Sequence, residues 1–229
     1  MMGTLGEKLS GIGMTSARTR ARMVERLREQ GIRDEVVLAA MNTVPRHIFV
    51  DEALAIRAYE DSPLPIGHGQ TISQPWVVAR MTELARAGSA LGRVLEIGTG
   101  CGYQSAVLAH VAREVYTVER IGGLVAKARR NLQSLKLKNV RLKHGDGTAD
   151  LGEDLEVDAI VVTAGTAVVP TALLRYLAPK GRMVLPLAQH AEGAETVQRL
   201  TVITVKDDGG HREQMYDAVR FVPLLHGIA

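Results

Sequence analysis

One cysteine, Cys101, stands among the 229 residues, which excludes an internal disulfide framework and any zinc site built from several cysteines, and fits a reducing compartment. Phe, Trp and Tyr make up 3% of the chain, leaving few platforms on which nucleic-acid bases could stack. No stretch approaches the ~20 apolar residues of a membrane span. Residues 1–16 are rich in Gly, Ser and Thr and lack the apolar core of a signal peptide. No second His or acid stands at metal-ligand spacing from His68, so no metal is expected. Acids are missing from the segment 127–143, where Lys127, Arg129, Arg130, Lys136, Lys138, Arg141 and Lys143 form a basic run. With a net charge of only +3, that run reads first as a solvated face and only second as a nucleic-acid surface. The 46% hydrophobic content suffices for one substantial core and a single domain.

The amino-terminal third is helical and carries no catalytic pattern. Ser16 is a candidate N-cap for a helix over 17–30, with Met23, Val24 and Leu27 on one face and Gly31 as its stop. Asp34 starts a shorter helix through Met41, and Val44-Pro45-Arg46 breaks the pattern. Residues 61–75 contain too much Pro and Gly for a helix or a central strand and are expected to form a shaped loop. Pro75 suits the first turn of a helix over 76–87, which places Thr71 and Ser73 just ahead of a helix N-terminus, where carboxylates are attracted. Spacing alone leaves Ser73 as either a clamp for such a group or the cap of that helix.

The organising stretch is 93–104, an apolar strand running into Gly98-Thr99-Gly100-Cys101-Gly102 and then a helical run over 105–111. Three glycines let the backbone turn sharply and approach a ligand. Their G-x-G-x-G spacing departs from the G-x-G-x-x-G of dinucleotide sites, since Tyr103 stands where the third glycine would fall. Glu96 puts a carboxylate near the loop, which suits a ligand carrying an ammonium or hydroxyls better than one carrying phosphates. S-adenosylmethionine is such a ligand. Downstream, strands over 114–118, 140–143, 157–162 and 182–187 alternate with helices over 122–135 and 170–177. That order predicts an α/β fold, doubly wound, with a mainly parallel sheet and helices on both faces. Segments 200–205 and 214–221, around a turn at Asp208-Gly209-Gly210, read as antiparallel strands at the sheet edge. Glu119 closes the second strand, where a carboxylate accepts ribose hydroxyls; NAD enzymes use the same device. Asp146, within His144-Gly145-Asp146-Gly147, can accept from the amine of an adenine. Gly98, Glu119, Asp146 and Thr163 all fall at strand carboxyl ends, the ligand side of such sheets.

Residues 94–104 resemble the first motif of class I methyltransferases. Together with residues 64–75 they are similar to the protein-L-isoaspartate (D-aspartate) O-methyltransferase family, and Val118-Glu119-Arg120, 144–147, 158–164 and 219–224 also match. The resemblance runs from about Gly31 to the last residue. It implies a Rossmann-like domain over 17–229, comprising a helical cap (17–60), a substrate loop (61–75), a cofactor core (93–187) and C-terminal strands (196–229), after a flexible extension (1–16). It further implies methyl transfer from S-adenosylmethionine to the free carboxylate of L-isoaspartyl or D-aspartyl residues, an ester that closes to a succinimide, and reopening to aspartate. Ser73 is then the catalytic residue and Thr71, Ile72 and Arg220 bind substrate. Glu96, Gly98, Thr99, Gly100, Gly102, Glu119, Asp146 and Gly147 bind cofactor. The implied enzyme is a cytoplasmic monomer whose partners are isoaspartyl proteins and peptides, without nucleic acid or membrane. The chain departs from the family at two places: Cys101 replaces the usual Ser or Thr, and after Thr163-Ala164, where the family tends to carry Ala and Pro, stands Gly165-Thr166-Ala167-Val168-Val169-Pro170. The residues themselves leave open a methyltransferase acting on RNA or a small molecule, an NAD-dependent oxidoreductase, and a module that senses adenosine compounds without catalysis.

Overall fold

The computed structural model describes residues 11–152, 155–189, 196–206 and 210–229. Residues 1–10 of the expected extension, and most of the expected 208–210 turn, lie outside them. Gly13–Thr15 form a 3-10 turn tied to the next helix by Thr19 Oγ1, which donates to the Gly13 carbonyl at 3.0 Å.

Helices α1 (Ala17–Glu29) and α2 (Glu35–Thr43) begin where the sequence places their caps: Ser16 accepts from the Thr19 amide and Asp34 from the Val36 and Val37 amides. Helix α3 spans Pro75–Arg86, with proline at its first turn. The stretch before it is a correction. At its centre lies a two-stranded hairpin, β1 (Leu64–Gly67) and β2 (Gln70–Ile72), turned by Gly67, His68 and Gly69, all of positive φ. Both strands are edges of their small sheet, so Pro65 removes no ladder bond that a neighbour needs.

The main sheet contains β3 (Leu91–Ile97), β4 (Ala112–Glu119), β5 (Val140–His144), β6 (Val157–Val162), β7 (Leu177–Gln189), β8 (Val197–Val205) and β9 (His211–Val219). Its order is β5-β4-β3-β6-β7-β8-β9; the first five are parallel, and β8 and β9 are antiparallel. Helices α4 (Tyr103–Ala109) and α5 (Gly122–Ser134) connect β3 to β4 and β4 to β5. They pack with α1–α3 on one face, where Val94, Val115, Val161 and Val184 meet Leu27, Met41, Met81 and Ala128 in one core. The opposite face presents Leu95, Ile97, Ile160, Met183 and Leu185. Its helical cover among the described residues is a 3-10 stretch, Thr171–Tyr176, where an α-helix over 170–177 is expected. The two windings diverge between β3 and β6, which opens a crevice at the carboxyl ends of those strands. Among the described residues, no helix is long and apolar enough to cross a membrane.

Candidate active site

Strand β3 delivers the chain into a loop that only glycine can follow at two points. Gly98 has φ +95°, and a Cβ there would run into Thr163 Oγ1; Gly102 has φ +91° and lies against Ala128 and Leu132 of α5. Backbone bonds then stitch the loop to β4. The Gly98 and Thr99 amides donate to the Val118 carbonyl (2.9 and 3.3 Å), and the Gly102 amide to the Thr99 carbonyl (2.9 Å). The Gly100 amide donates to Glu119 Oε2 at 2.8 Å, while Glu119 Oε1 accepts from the Ile121 amide at 2.9 Å. Four loop amides are therefore spent inside the protein. A pyrophosphate cradle needs such amides free, so the dinucleotide reading loses its donors.

Glu96 lies beneath the glycine loop, away from both clefts. Strand alternation sends it to the same face as Val94, beneath α4, and it is fully buried, off the walls of the crevice. Its Oε2 accepts from Ser105 and from Thr117 Oγ1 (2.6 Å), and Thr117 in turn meets Thr99 Oγ1 at 2.6 Å. Burial pushes the Glu96 carboxyl up to about 8 against those two hydrogen bonds, with the Glu119 charge adding to the rise. A largely neutral acid under the loop braces it.

Asp146, after β5, faces the last segment of the chain. Its Oδ1 accepts from the Thr148 amide and hydroxyl (2.8 and 2.7 Å), and Oδ2 from the Gly227 amide (2.6 Å). Partial burial opposes ionisation, yet these bonds hold its pKa below the ordinary aspartate value. Residues 222–229 run as a strap across the strand ends. The Gly165 amide donates to the Val222 carbonyl, Leu224 donates to Gly165, Arg120 Nε donates to the Gly227 carbonyl (2.8 Å), and Gly122 donates to the Ala229 carbonyl (2.7 Å). No local pattern in the sequence announces this strap.

Two clefts result. The larger, about 650 Å³ when its open mouth is included, is walled by Gly98, Gly100, Glu119, Arg120, Gly147 and Val222–Leu225. Asp146 touches it only through Gly147, whose missing Cβ makes room for Ile97. The smaller cleft is lined by Ile72, Ser73, Thr99, Cys101, Tyr103 and Gln104. Ile66, Thr71, Gly98, Gly100 and Thr163 belong to both, so the clefts meet across the glycine loop under the hairpin. Ser73 is not the cap of α3: Gln74 holds that position, and Asp61 Oδ1 accepts from the Trp76 amide at 2.9 Å. Burial lifts the Cys101 thiol to about 11, so it is neutral and no nucleophile. Arg220 is exposed after β9 and lines neither cleft. No group of three His, Cys, Asp or Glu side chains converges for a metal among the described residues.

A family model for protein-L-isoaspartate(D-aspartate) O-methyltransferase matches residues 18–229. The chain belongs to this family. Similar relatives are the protein-L-isoaspartate O-methyltransferases of Methylobacillus flagellatus, 57% identical over 219 residues (96% of this chain, 97% of that one), and Dechloromonas aromatica, 56% identical over 220 residues (96% and 99%). Among solved structures, a Plasmodium falciparum member in complex with S-adenosyl-L-homocysteine superposes with a TM-score of 0.73 at 27% identity, covering 90% of this chain and 98% of that one. The family match spans both clefts, the hairpin and the strap.

Proposed function

We propose that this protein repairs damaged proteins by moving a methyl group from S-adenosylmethionine to the free carboxylate of L-isoaspartyl, and D-aspartyl, residues. The observation that carries the reading is the shared wall: an open cleft edged by the glycine loop and Glu119, and a small neutral cleft, touch at Gly98, Gly100 and Thr71. Relatives at 56–57% identity are named for this activity.

The larger cleft fits the cofactor. Its loop amides are already bonded, which disfavours phosphates, while each Glu119 oxygen keeps an open acceptor direction for ribose hydroxyls. A Cβ at Gly100 would occupy space otherwise open, meeting only Ile66 Cδ1 at 3.3 Å. When bound, S-adenosylmethionine supplies an electrophilic methyl group on a cationic sulfur. Gly98, Gly100 and Gly147 would let it approach, Glu119 would hold its ribose, and Asp146 would fix the strap over its adenine end. Glu96, Thr99 and Gly102 would keep the loop in shape.

A substrate carboxylate with an ordinary pKa near ~4 is already ionised at neutral pH, so no residue has to take a proton. The smaller cleft matches that requirement, having no His, Lys, Asp or Glu in its lining. Its work is alignment, for which Thr71, the Ile72 backbone and the Ser73 hydroxyl are placed; positioning of this kind lowers barriers by up to ~10 kcal/mol. Arg220 would meet the peptide outside the cleft. The ester product then closes to a succinimide that opens to aspartate. A buried, neutral lone cysteine suits a reducing compartment, and the cytoplasm is the proposed location.

Incubation with labelled S-adenosylmethionine tests the reading. Base-labile label on an isoaspartyl peptide, and none on its aspartyl counterpart, is expected. Base-stable label on RNA or on a small molecule would replace this reading with another methyltransferase.

A further inference from the structure

Arg46 lies in the 3-10 turn Arg46–Phe49 and is fully buried, one of the largest such side chains in the protein. Its Nε donates to the Ala58 carbonyl at 2.8 Å, but Nη1 and Nη2 have no hydrogen-bond partner among the described residues. No carboxylate forms an ion pair with it there either. Asp61, the acid whose field reaches it, has its oxygens on the Trp76 amide and on Gln30 Nε2 (3.1 Å). The guanidinium instead covers the Tyr103 ring, with Cζ 4.7 Å from the centroid. A buried cation without an ion pair, its two terminal nitrogens unpartnered, costs stability, so its presence asks for an anion that arrives from outside.

The ring it covers supplies that link. Tyr103 and Cys101 line the smaller cleft, whose lining holds no Lys, Arg or His. Under the function proposed above, that cleft receives a carboxylate out of water, yet offers only neutral groups to meet it. We propose that Arg46 is the counter-charge for the substrate carboxylate, a positioning residue acting from behind Tyr103. The separation suits the chemistry. A guanidinium bonded directly to the attacking oxygen would tie up its lone pairs, whereas one set behind an aromatic ring draws the carboxylate in and leaves the oxygen free. Burial also removes the field from screening by salt.

The inference rests on the reading of the smaller cleft as the carboxylate site, and one experiment separates the two. With S-adenosylhomocysteine present, the dissociation constants of an isoaspartyl peptide and of the same peptide with that carboxyl amidated are compared. In the unaltered protein the carboxylate form is expected to bind at least ~10-fold tighter, and to keep that margin at ~1 M salt. In Arg46→Met the ratio should fall to near one, with the amide peptide and S-adenosylhomocysteine binding as before. Arg46→Lys should restore much of the ratio, and Arg46→Gln serves if the Met variant does not fold. A ratio near one in the unaltered protein would sink both readings. A ratio preserved in Arg46→Met, or abolished by salt, would overturn the role of Arg46 alone and leave the cleft as the carboxylate site.

Discussion

Glu119 Oε2 sits 2.8 Å from the Gly100 amide, so the carboxylate that ends β4 also holds the middle of the glycine loop. Sequence position suggests a residue that serves the ribose alone; the structure adds the Gly100 and Ile121 amides. Glu119→Ala should therefore weaken S-adenosylhomocysteine binding at least ~10-fold and also cost stability, about 1–3 kcal/mol for two half-buried amides that lose their acceptor. Calorimetry and thermal melting on one preparation check both. A weakened affinity with an unshifted Tm would mean that the clamp contributes nothing to the fold.

Asp146→Asn should free the strap. The Gly227 amide and both Thr148 donors rely on this carboxylate, so hydrogen exchange at residue 227 is expected to rise and cofactor affinity to fall. The pH sense follows from its depressed pKa. Its contribution is complete above the ordinary aspartate value of ~3.9 and is lost as pH drops below that value. The difference in stability between the unaltered protein and Asp146→Asn should thus vanish only in acid; a constant difference down to strong acid would remove the ionised form from the account.

Ser73→Ala should lower kcat/KM for an isoaspartyl peptide at least ~10-fold while leaving Tm and cofactor affinity nearly unchanged. Its hydroxyl has no hydrogen-bond partner among the described residues, and the capping work falls to Asp61. Asp61→Ala should accordingly destabilise by about 1–2 kcal/mol. A full-rate Ser73→Ala enzyme would withdraw that serine from the reaction.

Glu96 gives a pH slope of opposite sense. Folded, its carboxyl titrates at about 8; unfolded, near 4.5, so folding takes up a proton between those values. Stability should decline as pH climbs through this window, by at most ~1.4 kcal/mol per unit, and flatten above it. Glu96→Gln, which cannot ionise, should lack the slope and gain over the unaltered protein toward pH ~8. Parallel denaturant midpoints would reject the raised pKa.

The glycine loop, the parallel strands and the caps of α1 and α2 were legible because each rests on a local signal: three glycines, apolar runs, Ser16 and Asp34. The β1–β2 hairpin was not, since Pro65 and two turn glycines suppress strand propensity, and what seats it is the burial of Leu64, Ile66 and Ile72 against the rest of the fold. Strand β7 begins at Leu177, earlier than its apolar run suggests, by passing through Lys180 at φ +63°. The burial of Glu96 was not legible either, because proximity in sequence to a loop says nothing of the face on which alternation puts a side chain. Arg46 carried no sequence signal, for its lack of an ion pair among the described residues is a property of packing.

With the cofactor placed in the larger cleft as proposed, the strap at 222–229 makes its binding a report on the whole chain. The larger cleft draws its wall from Ile66, Gly98, Glu119, Gly147, Thr163 and Val222–Leu225, so no contiguous fragment contains it. A molecule that has closed the parallel sheet but not docked residues 222–225 presents an incomplete binding surface. Ligand then pulls on the equilibrium only at the fully folded end, stabilising the native state by mass action and no partly folded one. Saturation with S-adenosylhomocysteine thereby counts the molecules that have finished folding.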